Sequence, residues 1–155
     1  MKLYSVLLIA AVSVFFACKK ASTGNPIPVI AYSGISTDSV NNGSSKDTLS
    51  ITFTIVDGDG DLGNDPNVSN DIFLKDSRSV TNEEIGFLMP EIPKGVIKEG
   101  SSVNIHCTVN VSAAQFLLLR PTRPLGDTLS FDIYIKDRAG NKSNIIKTHP
   151  IYIYP

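Results

Sequence analysis

Between Asp47 and Val56 the chain reads DTLSITFTIV, so Leu49, Ile51, Phe53 and Ile55 alternate with Ser50, Thr52 and Thr54. A period of two sends alternate side chains to opposite faces, and this stretch predicts a half-buried strand. Ser102–Val111 repeats the pattern, with Val103, Ile105, Cys107, Val109 and Val111 on one face and His106 among the polar residues opposite. Asp127–Lys136 repeats it again, with Leu129, Phe131, Ile133 and Ile135 inward. Shorter apolar pieces lie at Val29–Tyr32, Asp71–Lys75, Ile85–Met89 and Ile145–Tyr154. Turn signals separate these stretches, so the pattern predicts an all-β, antiparallel β-sandwich of about seven strands. One short helical turn is expected near 112–119, where Ser112-Ala113-Ala114-Gln115 has capping-box spacing and Arg120-Pro121 ends the apolar run.

Two of the strands echo each other. Asp47–Asn64 and Asp127–Asn144 align without a gap and share eight of eighteen residues, including the opening DTLS. Each half is a half-buried strand that runs into a Gly-containing polar loop. In an immunoglobulin-like sandwich the second and sixth strands run the same way, and the loops that follow them share one end. Assigning the two halves to those strands makes Asp57–Asp65 and Asp137–Asn144 expected neighbours.

The first of these loops is the main chemical signal. Asp57, Asp59, Asp61 and Asp65 place four carboxylates in nine residues, with Gly58, Gly60 and Gly63 between them. Such charges repel unless something neutralises them, and the glycines let the loop curl its oxygens around one centre. Hard oxygen donors of this kind suit Ca²⁺, which takes about 6–8 of them. The spacing imitates the start of an EF-hand but places Leu62 where Gly is required and Val68 where Glu is required. The loop therefore reads either as a Ca²⁺ loop on a β scaffold or as a solvated acidic turn. Asp137 and Asn141 of the second loop are candidates to complete the ligand shell.

The N-terminus carries an address. Lys2 precedes an apolar run from Leu3 to Phe16, too short to span a bilayer as a helix but the right length for a signal-peptide core. Phe15-Phe16-Ala17-Cys18 resembles a bacterial lipobox. That resemblance implies a signal-peptide helix at 1–17, lipidation of Cys18 by diacylglycerol and palmitate-type chains, a flexible tether at 18–28, and a sandwich over 29–155. Two or three acyl chains, at about 0.8 kcal/mol per buried CH₂, make an effective anchor. Lys19 and Lys20 follow the cysteine, where an inner-membrane retention signal would place Asp. A bacterial cell-envelope lipoprotein of the outer membrane is therefore expected, facing either the periplasm or the exterior.

The segment Asp137-Arg138-Ala139-Gly140-Asn141-Lys142-Ser143 resembles the D-x-A-G-N-x-S turn of bacterial immunoglobulin-like domains. The DGDGDLG loop resembles one found in small Bacteroidota-type lipoproteins. These resemblances imply a fold and an address but no activity.

Composition narrows the function classes. The chain has 155 residues, 42% hydrophobic and 19% charged, with a net charge of −1. That accommodates one domain and gives no electrostatic basis for nucleic-acid binding. Cys107 is expected as a buried free thiol, because His106 points to the opposite face. No nucleophile motif, phosphate loop or zinc spacing is present, so a non-enzymatic binding or accessory module is expected, with an unknown envelope protein or glycan as partner. Tyr134, Tyr152 and Tyr154 alternate outward as a potential contact strip. A structural lipoprotein of a larger envelope complex is the alternative, and a carboxylate-dependent hydrolase is less favoured.

Overall fold

A computed structural model of the chain describes residues 24–63, 70–90, 92 and 101–155. The signal segment, Cys18 and Asp65 lie outside the described residues. The described chain is almost entirely strand and turn, as the alternation predicts. It contains ten strands in three sheets, where about seven strands were expected.

The first sheet holds β1 (Val29–Ile35), β3 (Thr48–Asp57) and β6 (Val103–Ser112), in the order β1-β3-β6. The second holds β4 (Ile72–Asp76), β5 (Glu84–Phe87), β8 (Phe131–Ile135) and β9 (Ile146–Lys147), in the order β5-β4-β8-β9. The third holds β2 (Ser39–Asn41), β7 (Asp127–Leu129) and β10 (Ile151–Tyr154), in the order β2-β10-β7. Neighbouring strands are antiparallel except β2 and β10, which run parallel.

The larger strand count has a local cause. The strand expected over Asp127–Lys136 breaks at Ser130, and its partner breaks between Lys147 and Ile151. Ile133 faces Ile146 in one part, and Leu129 faces Ile151 in the other, a shift of one residue. Side chains bridge the break: the Phe131 amide donates to Thr148 Oγ1 (2.9 Å) and the Ser130 amide to Ser77 Oγ (2.9 Å). Hydropathy ignores the break, because Leu129 and Phe131 on either side of it are both buried.

The inward residues of the alternating stretches form one core. Leu49, Ile51, Phe53 and Ile55 have no exposed surface, and neither do Phe131, Ile133 and Ile135. Each contributes about 1.5–3 kcal/mol by leaving water. The register explains why β3 is the central element: it pairs along its whole length with β6, from Thr48–Ser112 to Asp57–Val103, and with β1 on its other edge. The helical turn α1 (Ala113–Phe116) is present but lacks the expected cap. Ser112 makes no side-chain cap bond, and the Ala113 amide goes instead to the Asp47 carbonyl at 3.1 Å. Burial of Ala113 and Leu117 holds the turn in place.

Tyr134 has the expected outward parity yet is buried. Its ring stacks on Phe73 at 4.9 Å, Lys142 Nζ lies 3.6 Å from the ring centre, and its hydroxyl donates to Glu84 (2.9 Å). Tyr152 and Tyr154 are exposed, so of the three tyrosines only these two present a surface. Cys107 faces inward and is half-buried, beside a groove of about 290 Å³ that Met89, Pro90 and Ile92 also line. Burial pushes its thiol up to about 11. Alkylation of native Cys107 at pH 8 should therefore run about two orders of magnitude slower than that of a free cysteine. Peptide mass spectrometry would show this, and equal rates in native and denatured protein would contradict it.

Among the described residues, no helix is long and apolar enough to cross a membrane.

Candidate metal centre

The loop after β3 turns because of its own first aspartate. Asp57 is the last residue of the strand and is fully buried. Its Oδ2 accepts hydrogen bonds from the amides of Gly60 (2.7 Å) and Asp61 (3.2 Å), which curls the loop back over the strand end. Gly60, at φ +70°, supplies the left-handed backbone that this curl requires.

The curl brings three carboxylates together. One oxygen from each of Asp57, Asp59 and Asp61 lies within 4.8 Å of the others. The Oδ1 atoms of all three are shut away from solvent and have no hydrogen-bond partner. A buried acceptor without a donor is costly, and three such carboxylates grouped together could hold a cation. Burial, the largest cause, and the neighbouring carboxylates push both Asp57 and Asp61 up to about 6. For Asp61 the first of those neighbours is Asp137.

The loop between β8 and β9 packs beside this cluster, as the shared-end assignment predicts. The Arg138 amide donates to the Asp61 carbonyl and the Ala139 amide to Asp61 Oδ2, both at 3.0 Å. Asp137 is buried beside Asp61. Its Oδ1 accepts from the Asn141 amide (2.7 Å) and its Oδ2 from Asn141 Nδ2 (2.8 Å). Of the residues expected at the metal, Asp57, Asp59 and Asp61 form the cluster, and Asp137, held by Asn141, lies in the neighbouring loop.

The close approach of the N-terminal segment was not legible in the sequence. Residues 24–28, expected as the end of the tether, lie against the aspartate loop. A Cβ on Gly58 would overlap the Asn25 carbonyl oxygen and the backbone of Gly24. Asn141 Nδ2 also reaches the Pro26 carbonyl (3.3 Å), and the Asn144 side chain pairs with both the amide (2.8 Å) and the carbonyl (2.9 Å) of Ile30. Gly58→Ala should destabilise the fold by roughly 1–3 kcal/mol, because backbone rather than a yielding side chain meets the new methyl. Chemical denaturation measures this, and an unchanged midpoint would contradict the packing.

No protein-family model matches the chain, and neither the curated proteins nor the solved structures yield a match.

Proposed function

We propose that the protein is a lipid-anchored, non-enzymatic module of the bacterial outer membrane, an immunoglobulin-like sandwich whose loop end is closed by Ca²⁺. The observation that carries the metal reading is the grouping of Asp57, Asp59 and Asp61, each with one buried carboxylate oxygen that has no hydrogen-bond partner. All-oxygen donors of this charge favour Ca²⁺ over softer metals. The same enclosure argues against hydrolysis, since a catalytic carboxyl has to reach its substrate.

The sheet orders support the immunoglobulin-like reading. β1-β3-β6 corresponds to strands A, B and E, and β5-β4-β8-β9 to C′, C, F and G. Counting β7 with β8 and β9 with β10 as single broken strands leaves eight in total. In that scheme β2 is a short first-strand extension, lying parallel to the last strand. Such domains act by presenting loops and faces to a partner, here an envelope protein or glycan.

Calorimetric titration of chelator-treated protein tests the metal. Binding with Kd in the range of about 10⁻⁴–10⁻³ M, common to extracellular calcium modules, is expected. No heat from Ca²⁺ at millimolar concentration would reject the site. Metabolic labelling with a palmitate analogue tests the anchor: label should enter the wild type and not Cys18→Ala, and label-free wild type would reject lipidation.

A further inference from the structure

We infer that cation occupancy of the aspartate site locks the root of the membrane tether, residues 24–30, onto the domain. The inference rests on the calcium reading above and adds a regulatory consequence of the site's location.

The root is seated on the two loops that surround the carboxylates. Gly58, between Asp57 and Asp59, supplies a surface without a side chain, on which the backbone of Gly24 and Asn25 rests. Asn141 Nδ2 is shared between Asp137 Oδ2 and the Pro26 carbonyl, so one amide links Asp137, beside the acidic cluster, to the root. Asn144, three residues further along the same loop, holds Ile30 by both backbone groups. Pro28 and Ile30 are buried where the root enters the sandwich.

This arrangement couples charge to order. Without a cation, ionised Asp57, Asp59 and Asp61 repel within a small enclosed volume. Gly58 cannot move away from its neighbours without removing the floor beneath residues 24 and 25. With a cation the loop closes, the seat forms, and Asn141 is held in place to grip Pro26. Occupied, the site holds the root against the domain and shortens its reach; empty, it releases residues 24–28 to the tether. Calcium thereby sets the reach and presentation of whatever surface the module offers.

Hydrogen exchange on the intact chain in detergent micelles tests this, in Ca²⁺ and in excess chelator, with melting curves of the same samples. The backbone amides of Asn25 and Ile27 report the root, and those of Ile51 and Phe53 report the core. Calcium should slow root exchange about tenfold or more while core amides change little, the signature of local rather than global opening. At calcium concentrations that saturate its melting response, Asn141→Ala should still lose most of the root protection. A calcium-induced rise with unchanged root exchange would overturn the inference and leave the metal site standing. Protection in Asn141→Ala equal to wild type would overturn the link through Pro26. No melting response to calcium would overturn both the inference and the reading beneath it.

Discussion

Asp127→Ala is expected to cost about 3 kcal/mol, the lower end of the range for breaking a buried ion pair, and to lower the melting temperature by about 10 °C. Asp127 is buried at the start of β7 and accepts from Arg120 Nε and Nη2, both at 2.8 Å, and from Arg78 Nη1 at 3.0 Å. Its own Oδ1 also accepts from the Thr128 amide (2.9 Å). Truncation strands these donors unequally. Arg120 is 42% exposed and can turn to water, whereas Arg78 is 10% exposed but retains Asp76 (2.7 Å) and the Leu118 carbonyl (2.9 Å). This relief sets the cost at the lower end.

The pH dependence carries the same signature. The Arg120 hydrogen bonds, and then the Thr128 amide and Arg78, hold the Asp127 carboxyl well below the usual carboxylate range. A depressed folded-state pKa means that the unfolded chain binds more protons on acidification. Wild-type stability from this group is complete above about pH 4 and drains away as pH falls. Asp127→Ala should lack that acid-side loss. Denaturant midpoints between pH 2.5 and 5 would show it, and parallel curves for the two proteins would refute it.

Asp57→Asn is expected to raise the stability of the metal-free protein above pH 6 while abolishing its response to calcium. Burial raises Asp57 to about 6, so its folded state binds more protons than the unfolded state between about pH 4 and 6. Metal-free stability therefore falls as pH rises through that window and remains reduced above it. Asp61, less enclosed and repelled by the same neighbours, adds in the same direction but not independently. An asparagine carbonyl can accept from Gly60 and Asp61 as Asp57 Oδ2 does, while its NH₂ donates toward the remaining carboxylates. Melting in chelator at pH 7.5 should place the variant above wild type. A variant that melts lower, or still responds to calcium, would contradict the electrostatic account.

The strands were legible wherever an apolar face alternated over eight or more residues. Ile51, Phe53 and Ile133 fall in the core because the period of two admits no other register. β2 was not legible: Ser39–Asn41 is too short to show a period, and its parallel partner lies more than a hundred residues away. The covering of Tyr134 was hidden for a similar reason, since parity gives the face but not what Phe73, Lys142 and Glu84 do on it. The acidic cluster was legible because acid and glycine alternate locally. Its neighbour loop followed from two strands sharing one direction. Asn141 was expected as a ligand on residue type; its Nδ2 donates to Asp137 and Pro26, contacts that its place in the sequence did not announce. The seat of residues 24–28 required the packed backbone, because glycines at 24 and 58 acquire meaning only in contact.

The most direct test of the calcium site is thermal melting of the protein in calcium and in excess chelator, for wild type and for the double substitution of Asp59 and Asp61 by Ala. A cation that binds the folded state alone stabilises it by about 2.7 kcal/mol at a hundredfold excess over Kd. The account predicts a calcium-dependent rise of several degrees in the wild type that vanishes in the double variant. Superimposable wild-type curves in calcium and chelator would show that the three grouped carboxylates hold no calcium.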